Sequence, residues 1–295
     1  MRTNKTNKIN KMNKKIASII QRHAVLRHAA SGSAIALMCF AASIPCQAGQ
    51  KPADWDAAVG SAGKTPPIFW LDGNYTPNKG SALNGEVTYL NREQVWDQLQ
   101  TGFWGEENGA FRIVEASDGG RQFARVGDSK TTKIACSESG SLAILFKTAS
   151  EFRIDTFSPP DKHALLTRGD FSTPSPFEIA IVNGMLRVLT LGESGKPLFT
   201  TIANVNPASW YWVAMSWMKK DGVTHVQWRV KDLSNNAPME TGTFQAQGMG
   251  DVDSFLHIGL TQSKHSAPDT AFSQIIVWDT PIADEAWGKI ETLLK

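Results

Sequence analysis

The feature that constrains this chain most is a succession of short apolar segments, five to eight residues long, separated by turn residues. They are Leu142–Phe146, Phe152–Phe157, Phe177–Val182, Met185–Leu191, Leu198–Ala203, Trp210–Trp217, Thr224–Val230, Phe255–Leu260 and Phe272–Trp278. Ile68–Leu71 is a further short run. The third and fourth of these nine segments meet at Asn183-Gly184. Asn-Gly between two strand patterns is a strong hairpin signal, because both residues tolerate the positive φ of a type I′ turn. Lys219-Lys220-Asp221-Gly222 and Ser234-Asn235-Asn236 mark other turns. No helix pattern alternates with these strands, so a parallel α/β sheet is excluded. The expected fold is all-β: an antiparallel two-sheet sandwich or barrel.

Two helices are expected beside the strands. Asn91 with Gln94 has the spacing of a capping box, and Val95, Trp96 and Leu99 give that segment an apolar side. At the other end Thr280 is a cap candidate, Pro281 suits a first turn, and Trp287, Ile290 and Leu294 fall on one side. Residues 49–65 have few apolar residues and no period, and read as a flexible leader. The sandwich domain is then expected over residues 66–295.

Charge is unevenly distributed. Residues 1–48 hold eight of the 30 Lys/Arg and none of the 28 Asp/Glu, so the remainder has a formal net charge of −6. A surface of that sign repels phosphate backbones, which excludes nucleic acid as an expected partner. The basic segment is followed by the apolar run Ala34–Ile44 and by Pro45-Cys46-Gln47-Ala48, with small residues around a cut after Ala48. This is the pattern of a secretory signal peptide starting at Met1 or Met12, and it implies a secreted or periplasmic chain. The run is shorter than the roughly 20 residues that span a bilayer, so no membrane span is expected in the mature chain. Processing would remove Cys39 and Cys46 and leave only Cys136, so the fold must rely on its core rather than a disulfide. Cys136 itself reads as a small buried apolar residue.

Four segments carry a resemblance: GSLAILFK from Gly140; HALLTRGD from His163 with FEIAIVNGMLRVLTL from Phe177; NPASWYWVAMSW from Asn206 with HVQWRVKD; and FSQIIVWDTPIADEAWGKIETLL at the end. In order and spacing they resemble the laminin-G-like members of the concanavalin A-like lectin/glucanase superfamily. The resemblance covers about half the chain well and residues 66–138 loosely. It implies a curved two-sheet jelly roll that presents glycan or a cell-surface protein as its ligand. The hydrolases of that superfamily carry E-x-D-x-x-E on one strand face, and no Glu here begins that pattern. The lyase signatures R-x-E-L-R and Y-x-K-x-G-x-Y are also absent. A non-catalytic binding module is therefore expected; the alternative is an extracytoplasmic polysaccharide-degrading enzyme, a lyase before a hydrolase.

Candidate ligand residues follow from alternation. Arg153 and Asp155 share one strand face; His225, Gln227 and Arg229 share another. If both rows faced one concave sheet, they would line a polar groove. The other reading is an ordinary solvated face with cross-strand charge pairs. Of the ten tryptophans, Trp217, Trp228, Trp278 and Trp287 read as core, Trp210 and Trp212 are ambiguous, and Trp104 in Gly102-Phe-Trp-Gly105 is the candidate for exposure and sugar stacking. No cofactor is expected, with one exception. Asp72 and Asn74, with Asp251 and Asp253, are hard oxygen ligands suited to calcium at the sandwich rim.

Overall fold

A computed structural model describes residues 51–72, 87–89, 96–105, 109–113, 124–126, 138–152, 162–168, 177–192, 196–247, 256–259 and 269–295. Fifteen strands and two short helices form there. The strands are β1 (Phe69–Asp72), β2 (Val87–Tyr89), β3 (Trp96–Gln100), β4 (Ala110–Ile113), β5 (Ala124–Val126), β6 (Ser139–Lys147), β7 (Lys162–Arg168), β8 (Phe177–Val182), β9 (Met185–Leu191), β10 (Pro197–Asn204), β11 (Trp210–Lys220), β12 (Val223–Asp232), β13 (Glu240–Ala246), β14 (Leu256–Ile258) and β15 (Ala271–Trp278). The helices are α1 (Trp55–Gly60) and α2 (Asp284–Thr292).

The strands form two antiparallel sheets, as an all-β sandwich requires. One runs β13-β12-β11-β6-β15-β4-β3, with β1 pairing β15 beyond the end of β4; the other runs β10-β9-β8-β7-β14-β5-β2. Asn183 and Gly184 turn the β8–β9 hairpin with φ of 52° and 72°, and Val182 pairs with Met185. Asp221 and Gly222 do the same between β11 and β12.

Between the sheets lies the main core. Leu142, Ile144 and Phe146 of β6 alternate into it, as do Tyr211, Val213, Met215 and Trp217 of β11. From the other sheet Phe177, Ile179 and Ile181 meet them with Leu186 and Val188. Two tryptophans lie over glycines on neighbouring strands. Trp217 pairs with Gly140, where an added Cβ would come within 2.5 Å of the indole, and Trp228 lies against its partner Gly242 in the same way. Trp228 faces this core as expected but is only half-buried, because β12 lies one strand from the sheet's edge.

The outer face of the eight-stranded sheet is covered by a second apolar core. Ala143 and Leu145 of β6, Trp210, Trp212 and Ala214 of β11, and Ile276 and Trp278 of β15 face outward into it. Trp55 and Val59 of α1, Phe103 and Trp104, and Trp287 and Ile290 of α2 close over them. A bulge between Phe272 and Gln274 changes the parity of β15. Phe272 therefore faces the inter-sheet core while Trp278 faces the outer one, so the two do not share a face as simple alternation predicts. Ser141 and Ser216 share a 2.8 Å hydrogen bond beneath α2. Ile282 N–H donates to Ser141 Oγ and Trp287 Nε1 to Ser216 Oγ, which fixes the approach of the helix.

Three expectations are corrected here. The leader is not featureless, because Pro52 to Gly60 enters α1 and Trp55 is fully buried. The N-terminal-side helix is this one. The segment expected to be helical from Asn91 is strand over Trp96–Gln100, with residues 91–95 outside the described residues. Sheet pairing with β4 overrides a capping signal that only local spacing supports. Of the Phe152–Phe157 segment, Phe152 is not in a strand and residues 153–157 lie outside the described residues, as does Cys136.

Two outcomes check this architecture. Gly184→Val should lower stability by about 1–2 kcal/mol, since a β-branched residue is strained at positive φ; urea unfolding measures it. Trp55→Ala should cost about 3–5 kcal/mol by opening a cavity in the second core. That variant should also make the α1 segment sensitive to limited proteolysis, which a free leader would already be.

Candidate functional site

Each expected site residue has a definite place where it is described. His225, Gln227 and Arg229 do share the outward face of β12, since Val226 and Val230 alternate into the core. His225 and Gln227 are exposed, across from Met218 and Ser216 of β11 and from Gln245 and Thr243 of β13. Arg229 is not available in the same way. Its Nη2 lies 2.7 Å from Asp284 Oδ1 and its Nη1 3.5 Å from Glu291 Oε1, so it fastens α2 to the sheet. Burial pushes the Glu291 carboxyl above its usual range, against the pull of Arg229 and Lys231. Arg153 and Asp155, the other row of the expected groove, lie outside the described residues.

Trp104 is corrected outright: it is 3 % exposed. Its ring meets Trp55 edge-on at 4.9 Å and Phe103 at 5.3 Å. Gly102 and Gly105 made the segment look like an open loop, but both aromatic side chains turn into the second core. Stacking of a sugar on Trp104 is closed off.

Of the calcium candidates, Asp72 is described and Asn74, Asp251 and Asp253 lie outside the described residues. Asp72 Oδ2 accepts hydrogen bonds from Lys51 Nζ and Gln274 Nε2, both at 2.9 Å. Lys51 also reaches Asp56 at 2.8 Å and stands 5.7 Å over the Trp70 ring. Burial lowers the Lys51 pKa, but Asp56 and Asp72 outweigh it and the net shift is upward. The ammonium thus neutralises the charge a cation would have needed. Among the described residues no group of three His, Cys, Asp or Glu gathers in metal-binding range.

The seven-stranded sheet offers a different surface. Cross-strand register places Phe199 of β10 beside Leu189 of β9, and Leu189 beside Glu178 of β8. The next row is Thr201, Arg187 and Ala180. Leu186 and Val188 point into the inter-sheet core, so Arg187 and Leu189 point outward, and their partners with them. Phe199 is 57 % exposed, Thr201 is exposed and Arg187 is half-buried, while Leu189, Glu178 and Ala180 are buried. An open aromatic ring therefore stands next to a guanidinium and a hydroxyl. Sequence reading missed these residues. Alternation along PLFTTIAN was visible, but nothing in it shows that β10 is an edge strand whose Phe faces solvent.

No protein-family model matches the chain, and no curated protein matches it. Several solved structures share its fold. The binding domain of botulinum neurotoxin DC in complex with rat synaptotagmin II matches with a TM-score of 0.51 and 11 % identity, over 80 % of this chain and 52 % of that one. The same domain in complex with SialylT matches with a TM-score of 0.51 and 10 % identity, over 80 % and 52 %. The serotype D/C binding domain gives 0.51 and 11 %, over 78 % and 52 %. The chain spans about half the length of these domains, and likeness at such identity establishes the shared β-sandwich fold.

The Arg229 contacts carry a pH signature. A folded-state pKa above the unfolded value favours folding below the unfolded pKa and loses that contribution as pH rises through the folded value, so ionised Glu291 depends on Arg229 at neutral pH. Arg229→Ala should cost about 1–2 kcal/mol at pH 7 and less at pH 4, where Glu291 takes a proton. Urea unfolding at the two pH values, with hydrogen exchange across 284–292, checks it.

Proposed function

We propose that this chain is an exported, non-catalytic β-sandwich of the laminin-G-like kind that binds carbohydrate on the outer face of its seven-stranded sheet. The observation that carries this reading is Phe199, an exposed aromatic ring on an edge strand, one row along the same face from the Thr201–Arg187 pair. A flat ring offers its face to the C–H face of a sugar, and the neighbouring donors fix orientation. The other sheet offers less room, since α1, α2, Phe103 and Trp104 occupy much of its outer face. Two structural neighbours are binding domains, one held in complex with rat synaptotagmin II and one with SialylT. Binding rather than catalysis is the use of the fold carried over here. Export through cleavage after Ala48 belongs to the same proposal and rests on the basic segment, the apolar run and the small residues that follow it. No described helix is long and apolar enough to cross a membrane.

The test is a glycan array probed with the processed protein and with Phe199→Ala. Loss of one aromatic contact should weaken binding about tenfold, the equivalent of roughly 1.4 kcal/mol. Binding indifferent to Phe199→Ala would remove the ligand from this face. Release of unsaturated, ultraviolet-absorbing product from uronate polysaccharides would replace the binding module with the lyase alternative.

A further inference from the structure

Two other arginines of the described residues meet carboxylates. Arg112 lies 3.4 Å from Asp269, and Arg229 reaches Asp284 and Glu291. Arg187 differs. Among the described residues no carboxylate pairs with it; one guanidinium N–H reaches only the Met185 thioether, at 3.6 Å. Its Nε is buried and has no acceptor among the described residues. The diagonal carboxylate, Glu178, is buried and engaged in interactions of its own. A planar cation with five donors is thus held half out of water on a sheet face, with no compensating charge among the described residues.

A buried donor such as this Nε–H costs stability while it lacks an acceptor, and an anion bound there would supply one. The neighbours say what kind of group fits. Phe199 is two residues along the same face, across from Leu189, and Thr201 stands directly opposite Arg187. Adjacent rows on one sheet face lie about 7 Å apart, which is close to the width of one pyranose ring carrying a charged substituent. We propose that Arg187, Phe199 and Thr201 form a subsite for an acidic sugar: the ring stacks on Phe199 while the guanidinium takes the carboxylate or sulfate the sugar carries. The inference rests on the carbohydrate reading above and adds the ligand's charge to it. A guanidinium fork suits a planar, two-oxygen anion better than a point charge does. The exposed phenyl face favours a saccharide over an acidic peptide.

The experiment compares oligogalacturonate, its methyl ester and a sulfated galactan by calorimetry, beside an array of sialylated and uronate glycans, using the full processed chain. The ester keeps the backbone and removes the charge. The wild-type protein should bind at least one charged class about tenfold or more tighter than its neutral counterpart. Arg187→Gln should erase that preference and leave neutral binding unchanged. Arg187→Lys should retain part of it, since the charge remains without the fork. Phe199→Ala should weaken charged and neutral ligands alike. The thermal midpoint of Arg187→Gln should change little, because among the described residues only the long contact to the Met185 thioether is lost. The carboxylate and sulfate arms separate the two sources of the anion. If the charge preference survives Arg187→Gln, or if the wild type has none, the acidic subsite is wrong while Phe199-dependent neutral binding keeps the carbohydrate reading. If no saccharide binds at all, both fail. Arg187-dependent binding of polyglutamate without any acidic saccharide overturns the proposal in favour of a peptide ligand.

Discussion

Trp212 bridges the two helices. Its indole meets Trp55 of α1 edge-on at 5.9 Å and Trp287 of α2 at 6.3 Å. Trp278 extends the cluster to Trp287 at 5.6 Å and donates from its Nε1 to Val59 O of α1. A buried indole removes on the order of 200 Å² from water, about 5 kcal/mol of gross transfer free energy, whereas one intramolecular hydrogen bond nets about 1 kcal/mol. The cluster therefore decides that both helices dock on the eight-stranded sheet. A sheet apolar on both faces has to be covered on both. The chain does so with elements from opposite ends of the described sequence, more than 200 residues apart.

Polar contacts then select how the cover sits. The hydroxyls of Ser141 and Ser216 are spaced to receive Ile282 N–H and the Trp287 indole; of their two protons one serves the bond between them and the other a carbonyl, that of Thr280 or of Ile282. Lys51 bridges Asp56 and Asp72 at the other side. At the far end of β11, the Tyr211 hydroxyl donates to Asp232 and accepts from Asn206 N–H. Burial is the main cause that pushes its pKa up to about 12, with Asp232 adding to it, so the phenol is protonated at neutral pH. Burial would raise the Asp232 carboxyl, but hydrogen bonds from Asn235, Tyr211 and Asn206 outweigh it and hold it below its usual range. Each such bond contributes little energy, yet an unsatisfied hydroxyl or carboxylate in the same place would be costly. They specify one docking among many that the apolar faces alone would allow.

The sequence made some of this plain and hid the rest for identifiable reasons. The hairpin at Asn183-Gly184 was legible because two residues at positive φ leave few alternatives. So was the docking side of α2, with Trp287, Ile290 and Leu294 all buried. WYWVAMSW and IIVW are apolar on both faces, which is the mark of a strand covered twice, but period-two reading assigns only one side to a core. Trp210 and Trp212 were ambiguous on that account. The bulge at residues 272–274 has no sequence mark beyond Ser273, whose hydroxyl donates to Gly109 O across the sheet. Glu240–Ala246 escaped notice because an edge strand with mostly exposed or half-exposed side chains lacks an apolar run. Trp55 and Trp104 were misread because each sits in a polar or glycine-flanked stretch, and only long-range contacts bury them.

The same limits apply to two arginines that alternation treats alike. Arg229 and Arg187 are equivalent in the sequence: each is a single Arg at an alternating polar position of a strand, flanked by apolar residues. Alternation correctly points both outward. What separates them is what arrives on that side. Above Arg229 comes α2, bringing Asp284 and Glu291, and the guanidinium becomes part of the scaffold. Beside Arg187 the next strand is β10, which brings Thr201 and Phe199 and no carboxylate. Once α1, α2 and the Phe103–Trp104 turn are committed to the second core, much of the outer face of the eight-stranded sheet has no surface left to give. A ligand that needs a guanidinium, a hydroxyl and an open ring together finds them in register on the other sheet, at the β9–β10 edge. The tryptophan cluster that holds the fold together thus leaves the open aromatic ring and guanidinium to the β9–β10 edge of the other sheet.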